Sequence, residues 1–351
     1  MVGLKKGRVD VKDMVHIDGS MGEGGGQVLR TSLSLSIITA RPLDLVNIRS
    51  RRDRPGIQRQ HLAAVEAARK ICSARVEGAK TGSSAILFVP GKTAGGTYEL
   101  SIGSAGSATL VMQTILLPLM LAPHSSHVVI EGGTHNIWAP PVDFLDRVFL
   151  PLVRRMGPSV TVHLTRYGFH PAGGGLVHAA IDPVSVLKPI DVNERGKIDR
   201  IRATALVSRL PESIGHREIK VVKAELGDDI EGSVKVVDSR GPGNVLFVEI
   251  FCDRITEIIT SFGRRGLPAE KVALNVAREA QDYIRSGAPV GLHLADQLVL
   301  PFALTGAGSF TTMAPTRHFS TNVEVIKKFL PVDIRTEQMS GDAWKVTVNR
   351  S

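Results

Sequence analysis

A cluster of arginines is the clearest candidate for chemistry with phosphate groups. Planar guanidinium groups pair with phosphate oxygens in a bidentate geometry, while amide and imidazole groups hydrogen-bond ribose hydroxyls. The cluster precedes a predicted helix start, where anions already bind well, so phosphate binding is favoured over the alternative of a solvated surface loop. It comprises Arg49, Arg51, Arg52, Arg54 and Arg59, opposed by Asp53 and adjoined by Gln58, Gln60 and His61.

A glutamate interrupts a run of glycines at positions 22–26. The residues before the run fit a short strand and Val28–Ala40 fit a helix, an arrangement in which backbone N–H groups converge on an anion. A carboxylate beside a bound phosphate is disfavoured unless a divalent cation bridges the two. Taken alone, however, Glu23 is explained more simply as a carboxylate that complements the dipole of the following helix.

Two polar segments near the C-terminus hold further candidate groups. His318 stands among polar residues shortly before a predicted helix over Asn322–Phe329. A lone histidine in such a position is more often structural than catalytic. The segment His293–Gln297 begins another predicted helix, and its polar side chains serve either as helix caps or as nucleotide contacts.

Other histidines give weaker signals. His124 and His127 are spaced like metal ligands, but no further ligand stands near them in the sequence, so a zinc site is not expected. The segment His16–Gly19 is similar to the Lys-x-Asp-Gly element of lysine-dependent nucleotidyltransferases, with histidine in the lysine position. A match of four residues arises easily by chance, and we expect His16 to lie in a strand.

The predicted elements alternate between strands and helices, which indicates an α/β fold built from similar units. Examples are a strand over residues 43–49 and a single helix over residues 142–156. From about residue 186 the composition becomes charged, as in a linker between domains, and a new series of strands and helices follows. We predict a discontinuous large domain of residues 1–185 and 285–351, interrupted by a smaller inserted α/β domain of residues 186–284.

The composition excludes a disordered chain and points to a polyanionic partner. Among the 351 residues, 43% are hydrophobic, which is enough to form a buried core. The formal charge of +9 suits a partner rich in phosphate, because lysine and arginine displace its counterions. A lightly basic surface that serves solubility is an equally good interpretation of the charge alone.

Cysteine usage and hydropathy predict a cytoplasmic location. The two cysteines, Cys72 and Cys252, cannot form a disulfide framework, and a reducing compartment is expected. The longest apolar run, Ala108–Pro123, is shorter than the roughly 20 residues of a spanning helix. The charged start of the sequence lacks the apolar core of a signal peptide. No membrane partner is expected.

Several longer motifs identify the chain as similar to one family, the RNA 3'-terminal phosphate cyclases. They occur in the family's order from about residue 14 to residue 336 and are specific because each spans many residues. The resemblance implies a large domain of repeated βαβαββ-type units with a smaller inserted domain. The motifs are DGSMGEGGGQVLRTSLSLS, RPGIQRQHL, IGSAGSATLVMQT, GGTHNIWAPPVDF, HPAGGG, HLADQLVLPFAL and RHFSTN.

The resemblance also implies a reaction. Members of the family use ATP to convert an RNA 3'-phosphate into a 2',3'-cyclic phosphodiester. A histidine attacks the α-phosphate of ATP, pyrophosphate leaves, and AMP then passes from the histidine to the RNA 3'-phosphate. The neighbouring 2'-hydroxyl displaces the AMP. The expected partners are therefore ATP and an RNA with a 3'-phosphate end, with Mg²⁺ or Mn²⁺ as the metal.

The family's functional residues match positions in this sequence. The nucleophile matches His318, and a metal-linked carboxylate matches Glu23. His293 stands where the family often has an aromatic residue, and an imidazole can also stack on adenine. The ATP-binding positions are Gln113, His293, Leu294, Ala295, Asp296 and Gln297, and the candidates for the triphosphate or the RNA end are Arg30, Arg49, Gln60 and His61.

Two other functions remain open. A non-catalytic member of the same fold would act as a ribosome-assembly scaffold, although the presence of His318 within its motif argues against this. A different nucleotidyltransferase would adenylate other RNA or DNA ends. The sequence leaves open the oligomeric state and the biological RNA.

Overall fold

The fold repeats one βαβαββ unit, as the family resemblance implies. The computed structural model describes residues 13–339 and 341–351. The first unit consists of β1 (Val15–Asp18), α1 (Gly26–Thr39), β2 (Leu43–Val46), α2 (Arg59–Cys72), β3 (Arg75–Glu77) and β4 (Ile86–Val89). The second begins with β5 (Gly96–Ser101), α3 (Ala108–Met120) and β6 (Ser126–Gly132), continues through α4 (Val142–Phe144), a π-helical turn (Leu145–Phe149) and α5 (Leu150–Arg155), and ends with β7 (Ser159–Arg166) and β8 (Gly175–Asp182).

The third unit is interrupted after its first strand, β9 (Asp191–Val192). The interruption consists of β10 (Ile198–Ser208), α6 (Ser213–Leu226), β11 (Glu231–Val236), β12 (Gly243–Cys252), β13 (Thr256–Phe262) and α7 (Ala269–Ser286). The third unit then resumes with α8 (Leu292–Thr305), β14 (Ala307–Thr312), α9 (Arg317–Phe329), β15 (Val332–Gln338) and β16 (Trp344–Arg350).

The three units share one sheet topology. Their strand orders are β1-β2-β4-β3, β5-β6-β8-β7 and β9-β14-β16-β15. In each sheet the first two strands are parallel and the remaining pairs are antiparallel. The helices of the three units bury apolar faces in one shared core, in which α1 packs against α3 and α9, so helices of different units approach one another.

The interrupting segment forms its own mixed sheet, in the order β11-β10-β12-β13. A separate core between this sheet and the helices α6 and α7 contains Ile219, Val248 and Tyr283. Because β9 pairs with β14 in the third unit, we propose that the inserted domain begins after β9, and the division at residues 186–284 stays a prediction.

Three of the predicted elements have different bounds or a different form in the structure. The strand predicted over residues 43–49 ends at Val46, because Asn47 and Arg49 adopt left-handed backbone angles (φ 53° each) that end a strand. The helix predicted over residues 142–156 is interrupted by the π-helical turn. The last helix begins at Arg317 rather than Asn322, since the Thr316 hydroxyl caps it.

No helix within the described ranges is long and apolar enough to cross a membrane.

An ion-pair network around one buried carboxylate connects the inserted segment to the second unit. Glu249 on β12 is only 1% exposed. It accepts hydrogen bonds from Arg202 on β10 (Nε to Oε2, 2.8 Å) and from Arg147 in the π-helical turn (Nη1 to Oε1, 2.7 Å). Arg147 in turn pairs with Asp143, whose other carboxylate oxygen lies 2.8 Å from His135 Nε2. The network therefore joins the sheet of the interrupting segment to the second unit.

Replacing Glu249 with alanine should destabilise the protein by about 2–3 kcal/mol, because two arginines lose their shared carboxylate. Urea unfolding followed by circular dichroism measures this change. Glu225→Ala, an exposed position on α6, is the control and should shift stability by less than about 0.5 kcal/mol. Equal effects in both variants would show that the network contributes nothing specific.

Candidate active site

The glycine run folds against the start of α9. Gly22 has a left-handed φ of +53°, and a Cβ atom there would lie 2.0 Å from the Thr321 hydroxyl oxygen. The backbone N–H of Glu23 donates a hydrogen bond to the same oxygen (3.2 Å). Only glycine allows this close approach, which brings a loop of the first unit onto a helix of the third.

This approach places the carboxylate of Glu23 beside the imidazole of His318. The two side chains meet through Glu23 Oε2 and His318 Nδ1, which are 2.9 Å apart, and Gln27 Oε1 also lies 2.9 Å from Nδ1. His318 belongs to the first turn of α9 and is about half exposed. Because a carboxylate accepts the hydrogen bond, Nδ1 carries the proton and Nε2 presents its lone pair.

The imidazole of His318 is also kept neutral. Burial is the main cause that lowers its pKa below the usual 6.5, and the nearby cations Arg52 and Arg30 and the His293 ring lower it further. Glu23 acts in the opposite direction but does not cancel these effects. A neutral imidazole with a free Nε2 is a nucleophile near pH 7.

Asp296 positions the start of α9 from α8. Its Oδ1 accepts a hydrogen bond from the Thr316 hydroxyl (2.7 Å), and its backbone oxygen accepts one from Asn322 Nδ2 (2.8 Å). Asn322 Oδ1 accepts a hydrogen bond from Thr31 on α1 (2.6 Å). Burial, with a contribution from Glu23, raises the pKa of Asp296 to about 7. The contact with Thr316 gives Asp296 a positioning role, while the nucleotide contact stays a prediction.

The other proposed ATP-binding residues lie beside Asp296. Gln113 on α3 donates a hydrogen bond to the side chain of Gln297, which itself donates to the backbone oxygen of His293 (3.2 Å). The His293 ring is largely exposed, with Nε2 3.6 Å from Glu279. The side chains of Leu294 and Ala295 are buried in the core.

The start of α1 brings together three of the phosphate candidates. A Cβ atom on Gly26 would lie 2.3 Å from His61 Nε2 and 3.0 Å from Arg30 Nη1. Burial lowers the pKa of Arg30 to about 10, and no acidic side chain within the described ranges offsets it. Gln60, next to His61, accepts a hydrogen bond from the backbone N–H of Ser107 at the start of α3 (2.9 Å). Arg30 is thus a partly buried cation suited to an anionic ligand.

The side chain of Arg49 bonds its own loop, a contact that the sequence did not indicate. Its Nη1 donates hydrogen bonds to the backbone oxygens of Arg54 and Gly56, so Arg49 closes its own loop. Burial, and then the nearby charge of Arg52, lowers its pKa. Arg52 instead reaches the centre of the site, where its Nη2 is 3.3 Å from Glu23 Oε2.

The sequence missed two groups that act on His318. Gln27 contacts Nδ1, and its place directly after the glycine run was an available signal. Thr316 caps α9 and binds Asp296, which a Thr-x-x-Phe sequence alone does not reveal. His16, by contrast, lies in β1 and pairs with Asp44 (2.9 Å), apart from this cluster.

The protein side chains alone do not complete a magnesium site, but they fit one that also includes substrate phosphate oxygens and water. No group of three or more histidine, cysteine, aspartate or glutamate side chains in residues 13–339 and 341–351 is arranged to hold a metal. Mg²⁺ commonly takes one or two protein carboxylates together with substrate phosphates and water. The partly exposed carboxylate of Glu23, close to arginines suited to phosphate, meets that requirement.

The fold and the site define an α/β protein in which helix starts, arginines and a neutral histidine converge, as phosphate chemistry requires. Comparison with known proteins narrows this class. The family described as RNA 3'-terminal phosphate cyclase matches residues 21–336. The chain is 49% identical over 337 residues to an RNA 3'-terminal phosphate cyclase of Pseudomonas fluorescens (95% of this chain and 98% of that protein). It is 48% identical over 328 residues to one of Koribacter versatilis (93% and 92%). The chain belongs to the RNA 3'-terminal phosphate cyclase family.

His61 should stay unprotonated in the folded protein down to about pH 4.5. Burial is the first cause that lowers its pKa, to about 3, followed by the charges of Arg30 and Arg49. The unfolded chain binds this proton near pH 6.5, so His61 makes the protein less stable as the pH falls from 6.5 towards 3.

NMR of protein labelled with ¹³C-histidine measures this directly. The His61 resonance should not move between pH 8 and pH 4.5, whereas in urea-unfolded protein it should titrate near pH 6.5. Titration of the folded-state resonance above pH 5 would show that the ring is accessible to water and not held by its surroundings.

Proposed function

We propose that the protein uses ATP to convert an RNA 3'-phosphate into a 2',3'-cyclic phosphodiester, with His318 as a temporary carrier of AMP. The observation that carries this proposal is the contact between Glu23 and His318 Nδ1, which leaves Nε2 as the free nitrogen of a neutral ring. Membership of the cyclase family supports the overall reaction.

In the first step, Nε2 of His318 attacks the α-phosphorus of ATP. A nitrogen–phosphorus bond forms, the bond to the bridging oxygen breaks, and pyrophosphate leaves with that electron pair. The proton stays on Nδ1, hydrogen-bonded to the Glu23 carboxylate, which stabilises the positive charge that develops on the ring. Arg30 and Arg52 add positive charge for the phosphate oxygens.

In the second step, an oxygen of the RNA 3'-phosphate attacks the same phosphorus and the imidazole leaves. The product is an RNA adenylate, in which AMP is joined to the 3'-phosphate. The 2'-hydroxyl oxygen then attacks the 3'-phosphorus and its proton passes to water. The bond between that phosphorus and the bridging oxygen breaks, and AMP leaves with the electron pair. Activation is needed because a phosphate oxygen without AMP is a poor leaving group.

Glu23 is the residue that we propose to hold Mg²⁺ or Mn²⁺ together with phosphate oxygens of the bound nucleotide. The ion would supply positive charge to those oxygens. His293 and Gln297, with Gln113, are proposed to bind the nucleoside part of ATP. Their hydrogen-bonded arrangement beside Asp296 supports this assignment.

Two alternatives remain. A scaffold protein has no use for a neutral, oriented histidine near the charge of Arg30, so the site geometry favours an enzyme. An enzyme that adenylates other nucleic-acid ends would use the same first step. Offering oligonucleotides with 3'-phosphate, 5'-phosphate or 3'-hydroxyl ends separates the two enzymes, because we expect turnover only with the first.

A cytoplasmic location is also proposed, on the basis of the two free cysteines Cys72 and Cys252.

Replacing His318 with alanine should abolish the transfer of label from α-³²P-ATP to the protein, a loss of at least about 1,000-fold. His16→Ala is the matched control and should retain labelling, because His16 pairs with Asp44 outside the site. The bound label should be acid-labile and base-stable, as for a phosphoramidate. The opposite result for the two variants would assign the nucleophile to His16.

The pH dependence of adenylation should report the surroundings of His318. The rate should be constant above pH 6.5 and fall at lower pH, where the ring becomes protonated. Arg52→Ala removes a charge that lowers the pKa of His318, so the acidic limb should move to higher pH. Glu23→Gln removes a charge that raises it, so the limb should move to lower pH. Shifts in the same direction for both variants would contradict the assigned electrostatics.

A further inference from the structure

One loop of the second unit exposes a large aromatic ring in a strained backbone conformation. Trp138 is 89% exposed, the most of any large hydrophobic residue in the described ranges, and its neighbour Ile137 is 43% exposed. The φ angle of Trp138 is +69°, in the left-handed region that side chains other than glycine rarely adopt. Both features cost free energy, which indicates a use for the ring outside the protein's own core.

Hydrogen bonds hold the loop on both sides of Trp138. Asn136 Nδ2 donates a hydrogen bond to the backbone oxygen of Ala105 (2.6 Å), and its own backbone oxygen accepts one from Ala139 (3.2 Å). Thr109 Oγ1 donates to the backbone oxygen of Pro140 (2.7 Å). The exposed indole is therefore presented by a fixed turn.

This turn is attached to the rim of the proposed active site. Ala105 and Thr109 flank the start of α3. There the backbone N–H of Ser107 donates a hydrogen bond to Gln60, one of the candidate phosphate-binding residues. Gln113, a proposed ATP-binding residue, follows Thr109 by one turn of the same helix. The loop that carries Trp138 thus borders both the phosphate side and the nucleotide side of the site.

The surface next to the loop is positively charged. A Cβ atom on Gly173 would lie 2.8 Å from Ala105 Cα, so the second glycine-rich loop packs against the same turn. Arg166 and Arg240 accompany that loop and share the single carboxylate of Glu131, with Nη2 3.5 Å and Nη1 3.0 Å from Oε1. Two partly exposed guanidinium groups on one carboxylate leave a net positive charge that suits a nucleic-acid backbone.

We propose that Trp138 stacks on the base of the 3'-terminal nucleotide of the RNA substrate. The inference rests on the proposed function. Single-stranded nucleic acid binds to exposed aromatic rings near positive charge without sequence preference, because every base presents a flat face. The 3'-terminal base is next to the reacting phosphate in the substrate, and the turn that carries Trp138 is hydrogen-bonded to Ala105 and Thr109, on either side of the Ser107–Gln60 contact. Trp138 acts as a positioning residue that holds the RNA end while His318 and the 2'-hydroxyl react.

The test compares the RNA step with the ATP step in the full-length protein. Trp138→Ala should raise KM for a 3'-phosphorylated oligoribonucleotide by about 5- to 100-fold, the range expected for losing one stacked base. KM for ATP in the labelling of His318 should not change. Trp138→Phe should recover most of the loss, and Ile137→Ala, the exposed neighbour, should behave like the unaltered protein.

A second substrate makes the test specific for stacking. An oligonucleotide that ends in an abasic ribose 3'-phosphate retains the 2'-hydroxyl but offers no base. The unaltered protein should bind it as weakly as Trp138→Ala binds the normal RNA, and Trp138→Ala should show no further loss. Equal use of both substrates by the unaltered protein, or a change confined to KM for ATP in the variant, would overturn the proposal. Failure of the proposed function is separate, since the unaltered protein would then form neither labelled His318 nor a cyclic product.

Discussion

The contact between the Glu23 carboxylate and Nδ1 of His318 is the interaction on which the site depends. It fixes which ring nitrogen is free, and it requires a loop from the first unit to lie directly on a helix from the third. The left-handed Gly22 and the Thr321 hydroxyl make this possible from one side. On the other side, the Thr316 hydroxyl donates a hydrogen bond to Asp296, which positions the start of the helix. Neither partner alone would orient the imidazole.

The repeated units explain why such a site forms where it does. Each βαβαββ unit begins its helices at the same edge of a sheet, and the helix starts of α1, α2, α3, α8 and α9 come into contact through side chains. Helix N-termini carry partial positive charge, so their convergence creates an environment for a triphosphate before any arginine is added. Within that environment, the site arginines add positive charge and Glu23 adds one carboxylate. The inserted segment lies outside this arrangement and is joined to the second unit through Glu249.

The alternation of strands and helices was sufficient to predict the α/β fold, because the apolar periodicity and the glycine turns are local properties. Short edge strands such as β3 and β9 were not predicted, since two or three residues carry no periodic signal. The candidate site was predicted largely from the family resemblance, and its residue roles stay predictions. The hydrogen bonds that orient His318 join residues about 290 positions apart in the sequence, and only the folded chain brings them together. The exposure of Trp138 likewise depends on a loop conformation that composition does not reveal.

The protonation state of one ring tests the account most directly. ¹⁵N NMR of histidine-labelled protein at pH 7 distinguishes the two neutral forms of His318 from the charged one. We expect the resonances of a neutral ring with the proton on Nδ1 and a free Nε2. A proton on Nε2, or a charged ring at this pH, would contradict the account, because the nitrogen assigned to attack ATP would have no lone pair to offer.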